Sequence, residues 1–189
     1  MDLNVKNLSI YHENNCVISD FSCTCKPGTV TAIYGDNAAW KTTLLSTISG
    51  IHRDYDGKIR NTHTVVGQTM DTPILFKQYT AREHFVYIHR LHNKNIDKYF
   101  WNMFELETFK NTKTHDLSHG NRQKLWLVCS VIAHPTLLLR DEPCNWLDQK
   151  SRKTLAKYLE YEKEQGKTIV ITTHISEDID ETIDQKIHL

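Results

Sequence analysis

Apolar and polar residues alternate in part from Leu3 to Tyr11 and again from Cys16 to Cys25, before Pro27-Gly28 punctuates the chain. That pattern predicts an antiparallel strand pair with one buried face. Thr29 to Tyr34 is nearly continuous in apolar and β-branched residues, so it reads as a buried strand, ended by Gly35. Lys41 to Ile48 carries Leu44, Leu45 and Ile48 at helical spacing, with Gly50 as a stop. Short strands are expected after Asp56-Gly57, around Lys58–Arg60 and at Thr64–Val66. From about Thr80 to Lys110 there is neither Gly nor Pro, and the aromatics and long polar residues predict two or three helices. A largely buried helix follows Leu117-Ser118 and runs through Gln123 to Ala133. Thr136–Asp141 and Thr168–Thr173 are apolar runs of the kind found in parallel strands covered on both faces, with a charged helix from about Gln149 to Gln165 between them. Strands alternating with helices predict an α/β fold around a mainly parallel sheet.

Composition narrows the function classes. The 189 residues suit one domain, spanning 1–189, and 39% hydrophobic with 24% charged residues is ordinary globular usage. Lys and Arg number 23 and so do Asp and Glu, so there is no basic field and no nucleic-acid partner is expected. The longest apolar stretch, Leu125 to Ala133, is far short of the ~20 residues of a membrane span and contains Ser130. The first residues lack the features of a signal peptide, which makes the cytosol the default compartment. The five cysteines, with only Cys23 and Cys25 close together, read as free and mostly buried thiols, and the 11 scattered histidines as mostly surface residues.

The chemistry begins at Gly35-Asp36-Asn37-Ala38-Ala39-Trp40-Lys41-Thr42, set between a buried strand and a helix as a phosphate-binding loop requires. In such a loop backbone N–H groups and the helix N-terminus face phosphate, the lysine reaches the outer phosphate oxygens, and the Thr42 hydroxyl ligates Mg²⁺. Trp40 stands where this pattern has a glycine before the lysine, so its indole either swings outward or occludes the site. Leu137-Leu138-Leu139-Arg140-Asp141-Glu142 puts two carboxylates at a strand's C-terminal end, where ligands of α/β folds collect. Asp141 suits Mg²⁺, and Glu142 suits a water-activating base.

With these elements the chain resembles the nucleotide-binding subunits of ABC transporters. Leu117-Ser118-His119-Gly120-Asn121-Arg122-Gln123-Lys124 resembles the family's signature motif, Gln68 its Q-loop glutamine, Asn145-Trp146-Leu147-Asp148 its D-loop and His174 its switch histidine. Tyr11 resembles the aromatic that stacks on adenine. The resemblance implies a P-loop NTPase (RecA-like) core, an N-terminal antiparallel β subdomain and a helical subdomain at about 71–134. It implies ATP and Mg²⁺ as cofactors, with Tyr11, the loop from Gly35 to Thr43, Ser118, Gly120 and Asp148 on the nucleotide. Thr42, Gln68 and Asp141 would hold the metal, and Glu142, His174 and Gln68 would serve hydrolysis. It further implies a head-to-tail homodimer in which Ser118 and Gly120 face the other copy's loop, and separate transmembrane subunits docking beside Gln68 and the 71–90 region. The location implied is cytoplasmic, on the inner face of the membrane. The brief Val66-Gly67-Gln68 segment is similar to the haem exporter ATPase of cytochrome c maturation. Trp40, Ala38, Trp146, His119 and Asn121 depart from the family pattern, which sets beside the working ATPase an alternative: a regulatory or soluble module of the same fold with weakened or absent hydrolysis.

Overall fold

The computed structural model describes residues 2–36, 40–174 and 178–189. Strands β1 (Leu3–His12) and β2 (Asn15–Cys25) pair antiparallel, as the alternation predicts. Strand β3 (Thr29–Tyr34) enters the centre of the molecule, and helix α1 (Lys41–Ile48) follows its loop. Strand β4 (Tyr55–Asn61) pairs with the other edge of β1 and runs straight through Gly57. Gly57 is thus part of a strand and no turn before one. Its φ of 106° and a site for Cβ only 2.3 Å from the Asn7 carbonyl demand glycine where the β1–β4 register slips between Lys6 and Ser9.

Strand β5 (Val66–Thr69) begins where the sequence pattern places the end of a strand. Helices α2 (Ala81–Leu91), α3 (Tyr99–Met103) and α4 (His119–Cys129) come next in the chain. Helix α4 stops four residues short of Ala133, because the ladder changes there to tighter bonds: Ile132 N–H donates to Cys129 and His134 N–H to Val131. His134 then adopts φ 52° ahead of Pro135. Strand β6 (Leu137–Asp141), helix α5 (Gln149–Glu164), strand β7 (Thr168–Thr173) and strand β8 (Gln185–His188) complete the chain. Strand β8 has no counterpart in the sequence pattern.

The first sheet has the order β2-β1-β4 and the second β5-β6-β7-β3-β8, every pair in the second being parallel. Side-chain alternation splits the buried strands cleanly between two apolar layers. Val30, Ala32, Leu138, Ile169 and Ile171 face Phe85, Trp101, Leu125, Leu155 and Tyr158 of α2–α5, so the helical insert and α5 share one core. Ile33, Leu137, Leu139 and Val170 face α1 and the small antiparallel sheet, through Leu44, Leu45, Leu8 and Ile10. This sandwich fixes the C-terminal ends of β3, β6 and β7 side by side.

All five cysteines are free, with Cys23, Cys25 and Cys144 buried, Cys129 half-buried and Cys16 exposed. His84 and His89 are buried, contrary to a surface reading of them. No helix among the described residues is long and apolar enough to cross a membrane.

Candidate functional site

The loop after β3 meets α1 at Trp40, which takes φ 57° and ψ 23°, the left-handed conformation that suits glycine. The indole is 39% exposed and packs on the His12 ring at 5.1 Å, toward the end of β1. Asn37, Ala38 and Ala39 lie outside the described residues. Helices α2, α4 and α5 are each capped by a side chain, of Thr80, Ser118 and Asp148 respectively, whereas no side chain caps α1. The first-turn N–H groups of α1, those of Thr42 and Thr43 among them, stand at the positive end of the helix dipole, where anions are favoured.

Lys41 is buried at 6% exposure, and its Nζ donates to the Gly35 carbonyl at 2.5 Å and the Asp36 carbonyl at 3.4 Å. It also forms an ion pair with Glu142 Oε1 at 2.8 Å. Thr42 Oγ1 donates to Asp141 Oδ2 at 2.5 Å, and Thr172 Oγ1 donates to Asp141 Oδ1 at 2.6 Å. Glu142, at φ 45°, receives His174 Nδ1 on Oε2 at 2.8 Å, which places the proton on Nδ1, and its own N–H donates to the Thr172 carbonyl at 3.1 Å. One connected set thus joins β3's loop, α1, β6 and β7. Gln68 lies on β5 opposite Leu139 of β6, and its carbonyl accepts from Trp126 Nε1 at 3.4 Å.

The set fits a hard divalent cation. Two carboxylates face one ammonium, leaving one net negative charge, and Asp141 makes no ion pair among the described residues. A hydroxyl and a carboxylate 2.5 Å apart are the oxygen donors that Mg²⁺ favours.

Ser118, Gly120 and Asp148 gather in a second cluster. Ser118 Oγ accepts from Asn121 N–H at 3.3 Å, and the His119 ring stacks on the 61% exposed Trp146 at 4.8 Å. Gly120 approaches the Trp146 carbonyl so closely that a Cβ would stand 2.6 Å from it. Asp148 accepts from Ser151 N–H at 2.7 Å, and the Ser151 side chain and amide hold its carboxyl below the usual range. No hydrogen bond or ion pair among the described residues joins this cluster to Lys41. Tyr11 donates its hydroxyl to Asp56 at 3.0 Å; the ring that meets Trp40 is His12's.

Sequence reasoning missed Thr172, which completes Asp141's shell, and it named Asn145 only as part of the D-loop, whereas its amide donates to Asp71 at 2.9 Å and ties the loop after Glu142 to the segment after Gln68. For Thr172 the signal was present: a hydroxyl on the strand beside the two acids.

A strand-loop-helix with a buried lysine and paired acids on the next strand but one defines a P-loop NTPase core. The ABC transporter family model matches residues 18–145, more than half of the chain, and the chain belongs to that family as one of its ATP-binding domains. It is 29% identical over 190 residues to an uncharacterized ABC transporter ATP-binding protein of Methanocaldococcus jannaschii, covering 97% of this chain and 72% of that protein. It is 27% identical over 200 residues to the SkfA peptide export ATP-binding protein SkfE of Bacillus subtilis, covering 98% and 84%. A solved structure described as an ATP-binding subunit of an ABC transporter shares the fold with a TM-score of 0.89 at 24% identity, covering 100% of this chain and 86% of that one.

Proposed function

We propose that the chain binds MgATP and hydrolyses it to drive transport through separate membrane subunits, on the inner face of the membrane. The observation that carries this reading is the connected set of Lys41, Thr42, Asp141, Glu142 and His174 at adjacent strand ends. Lys41 and the first-turn amides of Thr42 and Thr43 hold phosphate oxygens, as the loop from Gly35 to Thr43 does in the family resemblance. Thr42, Asp141 and Gln68 hold Mg²⁺, which when bound neutralises charge on the phosphate oxygens. Lys41 turns from Glu142 to the phosphate, leaving that carboxylate to take a proton from water. His174, held by Glu142 through Nδ1, presents its other ring edge as a contact for the outer phosphate. Tyr11 is the aromatic proposed for adenine, next in the chain to His12, whose ring packs on Trp40.

Half of each site comes from a second copy in this proposal: Ser118 and Gly120 at the N-terminus of α4, and Asp148. The helical subdomain at about 71–134 is the part that meets the membrane subunits. Haem export is the narrower form of the reading and draws on the Val66-Gly67-Gln68 resemblance, while the relative above whose cargo is named exports a peptide.

The test is MgATP binding and phosphate release by the purified chain and by Glu142→Gln. Binding by both, with release only from the unaltered chain, is the expected outcome. Binding without release from either supports the regulatory module in its place, and no binding overturns the proposal.

A further inference from the structure

All five residues of β6 are buried, and four-fifths of that strand is explained by packing and metal chemistry; Arg140 is not. Alternation turns it to the α5 side, with Leu138 and away from Asp141. It is 0% exposed, and no carboxylate among the described residues pairs with it. Nη1 donates to the Gly67 carbonyl at 2.9 Å and the Leu139 carbonyl at 3.4 Å, and Nη2 donates to the Tyr158 hydroxyl at 2.7 Å. The guanidinium lies 5.9 Å from the centre of the Tyr158 ring, and among the described residues Nε has no hydrogen-bond partner.

A fourth leucine would fill this layer without burying a charge, and replacing buried charges by apolar groups is often neutral or stabilising. Leucine cannot, however, hold a carbonyl of the neighbouring strand. That strand, β5, is four residues long and, among the described residues, pairs only with β6 at the sheet's edge, so its own ladder holds it weakly. Gly67 is also seated tightly, since a Cβ there would stand 2.6 Å from the Ser130 carbonyl. The next carbonyl along, that of Gln68, is held from α4 by Trp126.

We infer that Arg140 is a positioning residue: its buried guanidinium clamps Gly67-Gln68 to the strand that ends in Asp141 and Glu142, so that Gln68 keeps one fixed relation to both carboxylates. The inference rests on the roles proposed for Gln68, Asp141 and Glu142. Nucleotide affinity is set chiefly by the loop after β3, which Arg140 does not contact through any described hydrogen bond or ion pair, so turnover is expected to suffer without binding.

The test is Arg140→Met, similar in length but without donors. Phosphate release is expected to fall at least tenfold in kcat with KM for ATP within threefold, and the amides of Gln68 and Thr69 to exchange with solvent at least tenfold faster, while those of Ile169–Ile171 do not. Trp126→Phe, which loses the indole donor and part of its ring, should move both readouts the same way by a smaller factor. Unchanged exchange at Gln68, or a kcat equal to that of the unaltered chain, overturns the inference. Should Arg140→Met not fold, Arg140→Lys carries the same expectation, because it keeps the charge and loses the two-pronged fork. An unaltered chain that releases no phosphate defeats the functional proposal, and the exchange measurement alone then decides on Arg140.

Discussion

Trp40 offers the sharpest separation of backbone from side chain in this site. A residue with a Cβ at φ 57° costs on the order of 1–2 kcal/mol over glycine there. The indole recovers part of this through the His12 ring at 5.1 Å, a contact worth about 0.5–1.5 kcal/mol. Trp40→Gly removes both terms and frees the unfolded chain by roughly 0.5–1 kcal/mol, so its stability should stay within about 1 kcal/mol of the unaltered protein. Trp40→Ala keeps the strain and loses the ring, so it should be less stable than Trp40→Gly by about 1 kcal/mol, or roughly 2–4 °C in Tm for a domain of this length. Urea denaturation of all three proteins gives the comparison, and MgATP titration of the same samples gives the functional half. Because the indole points outward, Trp40→Gly should change nucleotide affinity less than threefold. Equal stability of the Ala and Gly variants would refute the left-handed assignment, and a tenfold gain in affinity for Trp40→Gly would place the indole over the phosphate site.

Other expectations follow from burial and close approach. Burial of His84 pushes its imidazole down to about 4 from 6.5, so the unfolded chain binds the extra proton between those values. Stability is therefore full above pH 6.5 and is lost as pH falls toward 4. The loss is at most about 2 kcal/mol between pH 7 and pH 5, and His84→Leu should flatten that slope in urea titrations at the two pH values. Gly120→Ala puts a Cβ 2.6 Å from the Trp146 carbonyl; the turn must open, lowering stability by about 1–3 kcal/mol and loosening the His119–Trp146 stack, which tryptophan fluorescence reports. Thr80→Ala removes a capping box shared with Glu83 and should cost α2 about 1 kcal/mol, read as a shift in the denaturation midpoint.

The sequence by itself determined the order of strands and helices, the parallel sheet and the loop between β3 and α1, because each depends on local periodicity and punctuation. Lys41, Thr42, Asp141 and Glu142 were legible for the same reason: strand ends and a helix start mark where such groups must gather. Tertiary structure decided what depends on neighbours distant in the chain. Gly57 looks like a turn until β1 approaches it, and β8 is a strand only because β3 offers it an edge. Helix α4 ends early through a shift in its hydrogen-bond ladder. The direction of the Trp40 indole follows from one backbone angle and the ring of His12, 28 positions earlier in the chain. Arg140 reads as one more residue of an apolar strand until β5 and α5 bring it the carbonyl of Gly67 and the hydroxyl of Tyr158, since only packing can place a buried charge among its partners.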